Sequence, residues 1–278
     1  MRRTVTTTFA GTIAVAAMAV GLTSGPTAAI VDGAVDGTLH PGVGMVTYLR
    51  DGTPYRCSGT LIAPTVVVTA GHCTQGATGV FVTFDPVGQR APNAPTNPGD
   101  PARFIPGTAS THPDYVGSYR YDDLHDIGVV VLDRSADTVW PGIPLTPLAP
   151  AGAADRLRAG NGSAGQTLFT TVGYGVFYAK PDGGPQKPTV VSDRVRRNAT
   201  APLQMVKGET IKLAENGADA RGTGGSCFGD SGGALLLGGQ LYGVTSFGAS
   251  QFCIGMGGYQ RTDTASAREF LAGFVTLP

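Results

Sequence analysis

The sequence predicts an all-β protein, and three observations carry that expectation. The first is turn content: 42 glycines and 20 prolines in 278 residues supply many more chain reversals than a helical bundle uses. The second is the balance of 41% hydrophobic against 14% charged residues, which excludes a disordered chain and provides for a sizeable core, in one large domain or two smaller ones packed together. The third is pattern. Short apolar runs bounded by turn residues recur at 43–49, 58–62, 66–68, 127–132, 170–176, 234–237 and 241–247, as strands do. Lysine plus arginine equal aspartate plus glutamate at 20 each, so no overall field draws in nucleic acid or an anionic membrane.

In chain order, Arg2 and Arg3, an apolar run at 9–22 and the small residues Thr27-Ala28-Ala29 read as an export signal over 1–29. The run is too short to span a bilayer. Thr4-Val5-Thr6 does not build a twin-arginine motif around the pair, so the general secretory route is expected. A cut after Ala29 removes two arginines and no acid, taking the formal net charge from 0 to −2. No later stretch is long and apolar enough to anchor the chain, so a secreted, extracellular product is expected. Export makes Cys57, Cys73, Cys227 and Cys253 candidate disulfide cysteines. Three pairings are open; the most local, Cys57 with Cys73 and Cys227 with Cys253, would brace the surroundings of His72 and Ser231. Zinc is disfavoured, because C-x-x-C is absent and adjacent His72 and Cys73 are poorly spaced as ligands.

The exported chain begins Ile30-Val31-Asp32-Gly33. Pro64 breaks the second strand run and Val66-Val67-Val68 resumes it, leading into Thr69-Ala70-Gly71-His72-Cys73. Small residues leave room around that imidazole, and the cysteine can fix it covalently. Residues 85–100, rich in Pro, Gly and Asn, read as a surface loop. Asp126 stands at the mouth of the apolar run to Leu132, a placement that would bury a carboxylate, whereas Asp122 and Asp123 sit in a polar segment that reads as a solvated face. Residues 133–165 look like a connection between halves, with a boundary near Pro150. Residues 170–176 read as a strand with a Gly-Tyr-Gly kink and 180–188 as an exposed loop; 198–225 yields no assignment. Glycosylation sequons at Asn161-Gly162-Ser163 and Asn198-Ala199-Thr200 carry little weight, the pattern being short. Runs at 234–237 and 241–247 around Gly238-Gly239 predict a hairpin. Ala267, Phe270, Leu271 and Phe274 recur at helical spacing, with Thr262 or Asp263 as candidate cap.

Gly229-Asp230-Ser231-Gly232-Gly233 is the stretch that carries chemistry. Glycines let the backbone turn tightly, present the hydroxyl and aim N–H groups at a substrate oxygen. The pattern also satisfies the nucleophile elbow of α/β-hydrolases, but that fold places its histidine after the serine. Here His40, His72, His112 and His125 all precede Ser231. With the Ile-Val-x-Gly start, Thr-Ala-Gly-His-Cys, Asp-Ile-Gly and Gly-Asp-Ser-Gly-Gly in that order, the sequence resembles the chymotrypsin/trypsin family of serine endopeptidases. The likeness covers most of residues 30–275 and is weak at 85–110 and 177–220.

That resemblance implies two packed six-stranded antiparallel β-barrels, the first over 30–149 and the second, with the terminal helix, over 150–278. It implies a triad of His72, Asp126 and Ser231, an oxyanion hole from the N–H groups of Gly229 and Ser231, and an activating pair of the Ile30 α-amino group with Asp230. The predicted signal cut falls directly before Ile30, so export itself is expected to create the active N-terminus. Pocket residues implied are Gly225, Ser226, Ser246, Phe247, Gly248 and Gly257, with Gly258 beside them. Gly225 stands where trypsin-like enzymes carry an acid, so an open pocket and cleavage after medium or large apolar residues are expected. Polypeptides are the expected substrates and a monomer the expected state; no metal or organic cofactor is implied, with calcium in the 85–110 loop left open. The alternatives are a silent protease-like binding protein and a secreted esterase. The signal and the short disulfide set suggest a bacterial member.

Overall fold

Three successive valines explain much of the architecture. Val67 packs in one core with Val46, Leu61, Val82, Ile105 and Val130. Val66 and Val68 belong to another, with Ile127, Val129, Val172, Ala234, Leu241 and Val244. Side chains alternate across a strand, so a strand buried on both faces reads as an unbroken apolar run. The same division separates Val130 and Leu132 from Ile127 and Val129. Leu235 joins a third core with Phe169, Leu203, Ile211, Leu213 and Tyr259, while Ala234 and Leu236 join the second. The cores of Val67 and of Leu235 are thus barrel interiors, and the one that holds Val66 and Val68 lies between the barrels.

The structure is a computed structural model that describes residues 33–117, 124–157, 167–179, 189–215, 223–250 and 253–277, without the side chains of 177–179 and 189. The signal segment, Ile30, Asp122, Asp123, the 161–163 sequon and the 180–188 loop lie outside those residues. In order the elements are β1 (Ala34–Val35), β2 (Val43–Arg50), β3 (Thr53–Ala63), β4 (Val66–Thr69), the one-turn helix α1 (Gly71–Thr74), β5 (Thr78–Thr83), β6 (Ile105–Thr111), β7 (Gly128–Leu132), β8 (Leu168–Gly173), β9 (Phe177–Ala179), β10 (Thr189–Val191), β11 (Arg197–Lys207), β12 (Thr210–Glu215), β13 (Ala234–Leu237), β14 (Gln240–Gly248), β15 (Gly255–Arg261) and α2 (Ala265–Ala272). Strands β2-β3-β4-β7-β6-β5 close the first six-stranded antiparallel barrel. Strands β8-β11-β12-β15-β14-β13 close the second, with β1 added to β11. Closure leaves few unpaired strand edges.

The stretch at 198–225 that the sequence left unread supplies β11 and β12. Strand β11 carries polar residues and Pro202, and its pairing changes along its length, from β8 over 197–202 to β12 beyond Leu203. The inward face holds Arg197, Ala199, Ala201 and Leu203, of which only the leucine is a large apolar residue, and beyond it Met205 and Lys207 are exposed, so no apolar period of two shows. The terminal helix forms, but its cap differs from both candidates. Thr264 accepts the Ala267 N–H, whereas Thr262 donates to Leu241 O and Asp263 binds the Ala154 N–H and the Arg261 guanidinium. Long-range partners had already taken both side chains.

A buried cation locks the barrels to the N-terminal segment. Arg196 is 1% exposed and donates to Asp36 Oδ2 at 2.8 Å, to the carbonyls of Val43, Phe84 and Gly37, and to Tyr174 Oη. Every face of the guanidinium fork is used, which is what makes such a burial tolerable. Burial would raise the Asp36 carboxyl, but hydrogen bonds from His40 and Arg196 hold it well below the usual carboxylate range.

Candidate active site

Strand β4 ends at Thr69, and α1 turns His72 toward the groove between the barrels. Gly71 keeps this approach close, because a Cβ would come within 3.1 to 3.2 Å of Tyr115, Asp126 and the Ile127 nitrogen. The turn is held from below by Arg50, which donates to the carbonyls of His72 and Gln75, and is tied to β3 by the Cys57–Cys73 disulfide. The sulfurs near His72 are therefore bonded to each other, which removes the thiolates from the only three-residue metal-like group among the described residues.

Asp126 precedes β7 and is 3% exposed. His125 before it adopts φ +46, in the left-handed region. Its Oδ1 accepts the His72 N–H at 2.7 Å, and its Oδ2 meets His72 Nδ1 at 2.8 Å and the Ser246 hydroxyl at 2.5 Å. The Asp126 N–H is in turn bound by Gln260 Oε1. Burial pushes this carboxyl up, yet the His72 charge and the hydrogen bonds from His72 and Ser246 outweigh it and hold the group below the ordinary carboxylate value. With Nδ1–H facing the carboxylate, Nε2 is left as the basic nitrogen.

Ser231 lies on a turn whose backbone is almost fully engaged. The N–H groups of Asp230, Gly232 and Gly233 bond to the carbonyls of Cys227, Thr245 and Asp230. The Ser231 carbonyl accepts the Ser58 N–H at 2.8 Å, and the Ser58 hydroxyl holds the Gly229 carbonyl. The N–H groups of Gly229 and Ser231 have no partner among the described residues, so two donors remain beside the hydroxyl. Gly229 has φ +95 and Gly232 φ +76, where a side chain is strained. His72 and Ser231 line one cavity of about 370 Å³, with Ser226, Ser246, Phe247 and Gly248 in its wall. No hydrogen bond joins His72 to Ser231 in this structure; catalytic contacts of this kind commonly tighten only with substrate. The Cys227–Cys253 disulfide forms another wall.

Asp230 is fully buried and accepts the N–H groups of Gly175 and Cys227 at 2.7 and 2.9 Å. Burial raises its carboxyl to about 6. Its expected partner Ile30 lies outside the described residues.

The pocket floor differs from expectation. Gly225 and Gly257 lie behind the cavity wall, and the space beside them is not open: a Cβ on either would run into the Glu215 side chain. Glu215, at the end of β12, is 3% exposed and accepts the Ser226 N–H, the Ser226 hydroxyl and the Tyr259 hydroxyl. A carboxylate from β12 thus stands beside Gly225 and Gly257. No local signal marks Glu215, which falls in the stretch without an assignment.

The chain is 29% identical to brachyurin of Leptuca pugilator over 202 residues, covering 72% of this chain and 78% of that protein. It is 30% identical to a trypsin of Saccharopolyspora erythraea over 217 residues, covering 75% and 82%. Among solved structures it is similar to HL collagenase (TM-score 0.62, 18% identity, 87% of this chain and 96% of that chain). It is also similar to human heparin binding protein (TM-score 0.55, 19% identity, 86% and 94%). Identities so low speak for the fold alone. The trypsin family model matches residues 37–267, and the chain belongs to the trypsin family of serine endopeptidases.

Proposed function

We propose that this is a secreted protease in which Ser231 is the nucleophile, His72 the general base and then acid, and Asp126 the group that holds the imidazole. The observation that carries this reading is the His72–Asp126 pair at 2.8 Å, on a ring that shares a cavity with Ser231. Ser231 Oγ bonds to the scissile carbonyl carbon as its proton passes to His72 Nε2. The oxyanion is received by the N–H groups of Gly229 and Ser231, where losing one donor costs about 3 kcal/mol. The C–N bond then breaks, the leaving amine takes the proton from His72, and an ester on Ser231 remains for water to cleave by the same steps. Asp126 holds the tautomer and stabilises the imidazolium.

The mature chain starts at Ile30 and acts as a monomer, with the new α-amino group paired to Asp230. A buried carboxylate that stays raised although two backbone amides hold it and the charges of Arg56 and Arg197 act on it supports that pairing, since an arriving cation would offset the burial. The pairing raises the amine above its free value of about 8. Competence is then full below that value and fades as pH rises through the raised one. With no carboxylate among the described residues of the cavity wall, cleavage after medium or large apolar residues is the base preference.

The test is intact mass and N-terminal sequencing of the secreted protein before and after a fluorophosphonate probe. An Ile30 start with one adduct on Ser231, absent in His72→Ala, is expected. An Ile30 start without an adduct would instead favour a silent binding protein, and a start upstream of Ile30 would mean that a separate activating cut is needed.

A further inference from the structure

Behind the wall of the substrate cavity lies a carboxylate that the proposed chemistry does not use. Ile211 and Leu213 face the interior of the second barrel, and Glu215, two further along β12, shares their face by the alternation of a strand. At the end of the barrel there is no more core to fill, and the side chain passes between Gly225 and Gly257, occupying the volume their side chains would take. Its oxygens are met by Ser226, whose residue lines the cavity that also holds His72 and Ser231. We propose that Glu215, reached through Ser226, is the specificity-determining floor of this pocket, and that when ionised it lets the pocket accept the cationic side chain of lysine or arginine. This rests on the serine-protease reading above.

The surroundings leave the carboxylate short of countercharge. Its hydrogen bonds come from neutral donors, the Ser226 N–H and hydroxyl and the Tyr259 hydroxyl on β15. It forms no ion pair among the described residues. Asp230, on the nucleophile loop, is a like charge that opposes its ionisation, after burial itself, and the group is raised to about 7. Lys212, three positions back on β12, belongs to the opposite face of the strand. A cation entering the cavity would thus find a buried acid whose ionised form gains from its arrival. Glycine at 225 and 257 is then the condition for the design, since a side chain at either would displace the acid.

The decisive experiment compares kcat/KM for two peptide substrates that differ only before the scissile bond, lysine in one and its neutral isostere norleucine in the other, from pH 5.5 to 8.5. Ionisation of His72 and of Asp230 affects both substrates alike and cancels in the ratio, while the substrate lysine stays charged throughout. The lysine-to-norleucine ratio should rise with pH by about tenfold to a hundredfold in the native protein, the worth of a hydrogen bond to a charged group. In Glu215→Gln it should be low and flat. A flat ratio in the native protein, or an identical rise in the variant, would overturn the proposal. If Gln does not fold, Glu215→Asp, which keeps the charge and withdraws it by a methylene, should lower the ratio at pH 8. Failure to turn over either substrate would count against the protease reading, and calorimetric titration with benzamidine would still decide the role of Glu215. Tightening with pH in the native protein but not in the variant supports it; equal affinity overturns it.

Discussion

Replacing Arg196 with methionine tests whether one buried cation ties the two barrels to the N-terminal segment. Methionine fills much of the volume but supplies none of the donors. Removing one member of a buried ion pair costs about 3 to 5 kcal/mol. Here Asp36 keeps the His40 ring and backbone N–H and the Asn198 amide as partners, which points to the lower end. Against that, the carbonyls of Phe84 and Gly37 lose their Arg196 donor, at about 1 kcal/mol or more each. The sum is about 5 kcal/mol, a fall in Tm of about 10 °C or more for a chain of this size. Urea and thermal denaturation followed by tryptophan fluorescence would measure it, Trp140 being the single tryptophan. A double-mutant cycle with Asp36→Ala should give a total smaller than the sum of the single losses, because both remove the same pair. A loss under about 1 kcal/mol, or strict additivity, would refute the reasoning.

Asp126→Asn should leave the fold in place and lower kcat about ten-thousandfold with little change in KM, since the amide favours the wrong imidazole tautomer; steady-state kinetics on a peptide substrate measure this. Gly232→Ala should abolish activity and destabilise the second barrel, because its Cβ would lie 2.5 Å from the Ser58 carbonyl oxygen and 2.7 Å from the Ala70 nitrogen at φ +76; loss of fluorophosphonate labelling with a lowered Tm is the readout. Glu215→Gln should alter the pH dependence of stability. The folded carboxyl is raised to about 7 against about 4.3 in the unfolded chain, so its contribution is complete below the unfolded value and lost as pH rises through the folded one. Urea midpoints should therefore favour the variant over the native protein at pH 8 relative to pH 4, and an unchanged difference would contradict the assigned burial.

The reactive groups were legible because each sits in a local pattern whose physical purpose is local. Gly71 adds no side chain where His72 approaches Asp126, and Gly229 and Gly232 take the positive φ on which the Ser231 turn depends. The strand runs were legible where both faces are buried, as at Val66-Val67-Val68, and the terminal helix because its apolar stripe repeats within three turns. Strands β11 and β12 were not, since β11 changes partner midway and its buried face is made of Arg197, two alanines and Leu203 rather than large apolar residues.

By itself the sequence determined the all-β class, the order of His72, Asp126 and Ser231, and the family to which they belong. Only the tertiary structure decided that Thr264 caps α2, that Arg196 joins Asp36 across 160 residues, and that Glu215 occupies the space between Gly225 and Gly257. The division has one physical cause. A turn, a strand face or a nucleophile loop is specified by neighbours a few residues apart, whereas a buried charge is specified by whichever distant groups the closure of a barrel brings against it, and a carboxylate on a strand carries no mark of which pocket it will lie beneath.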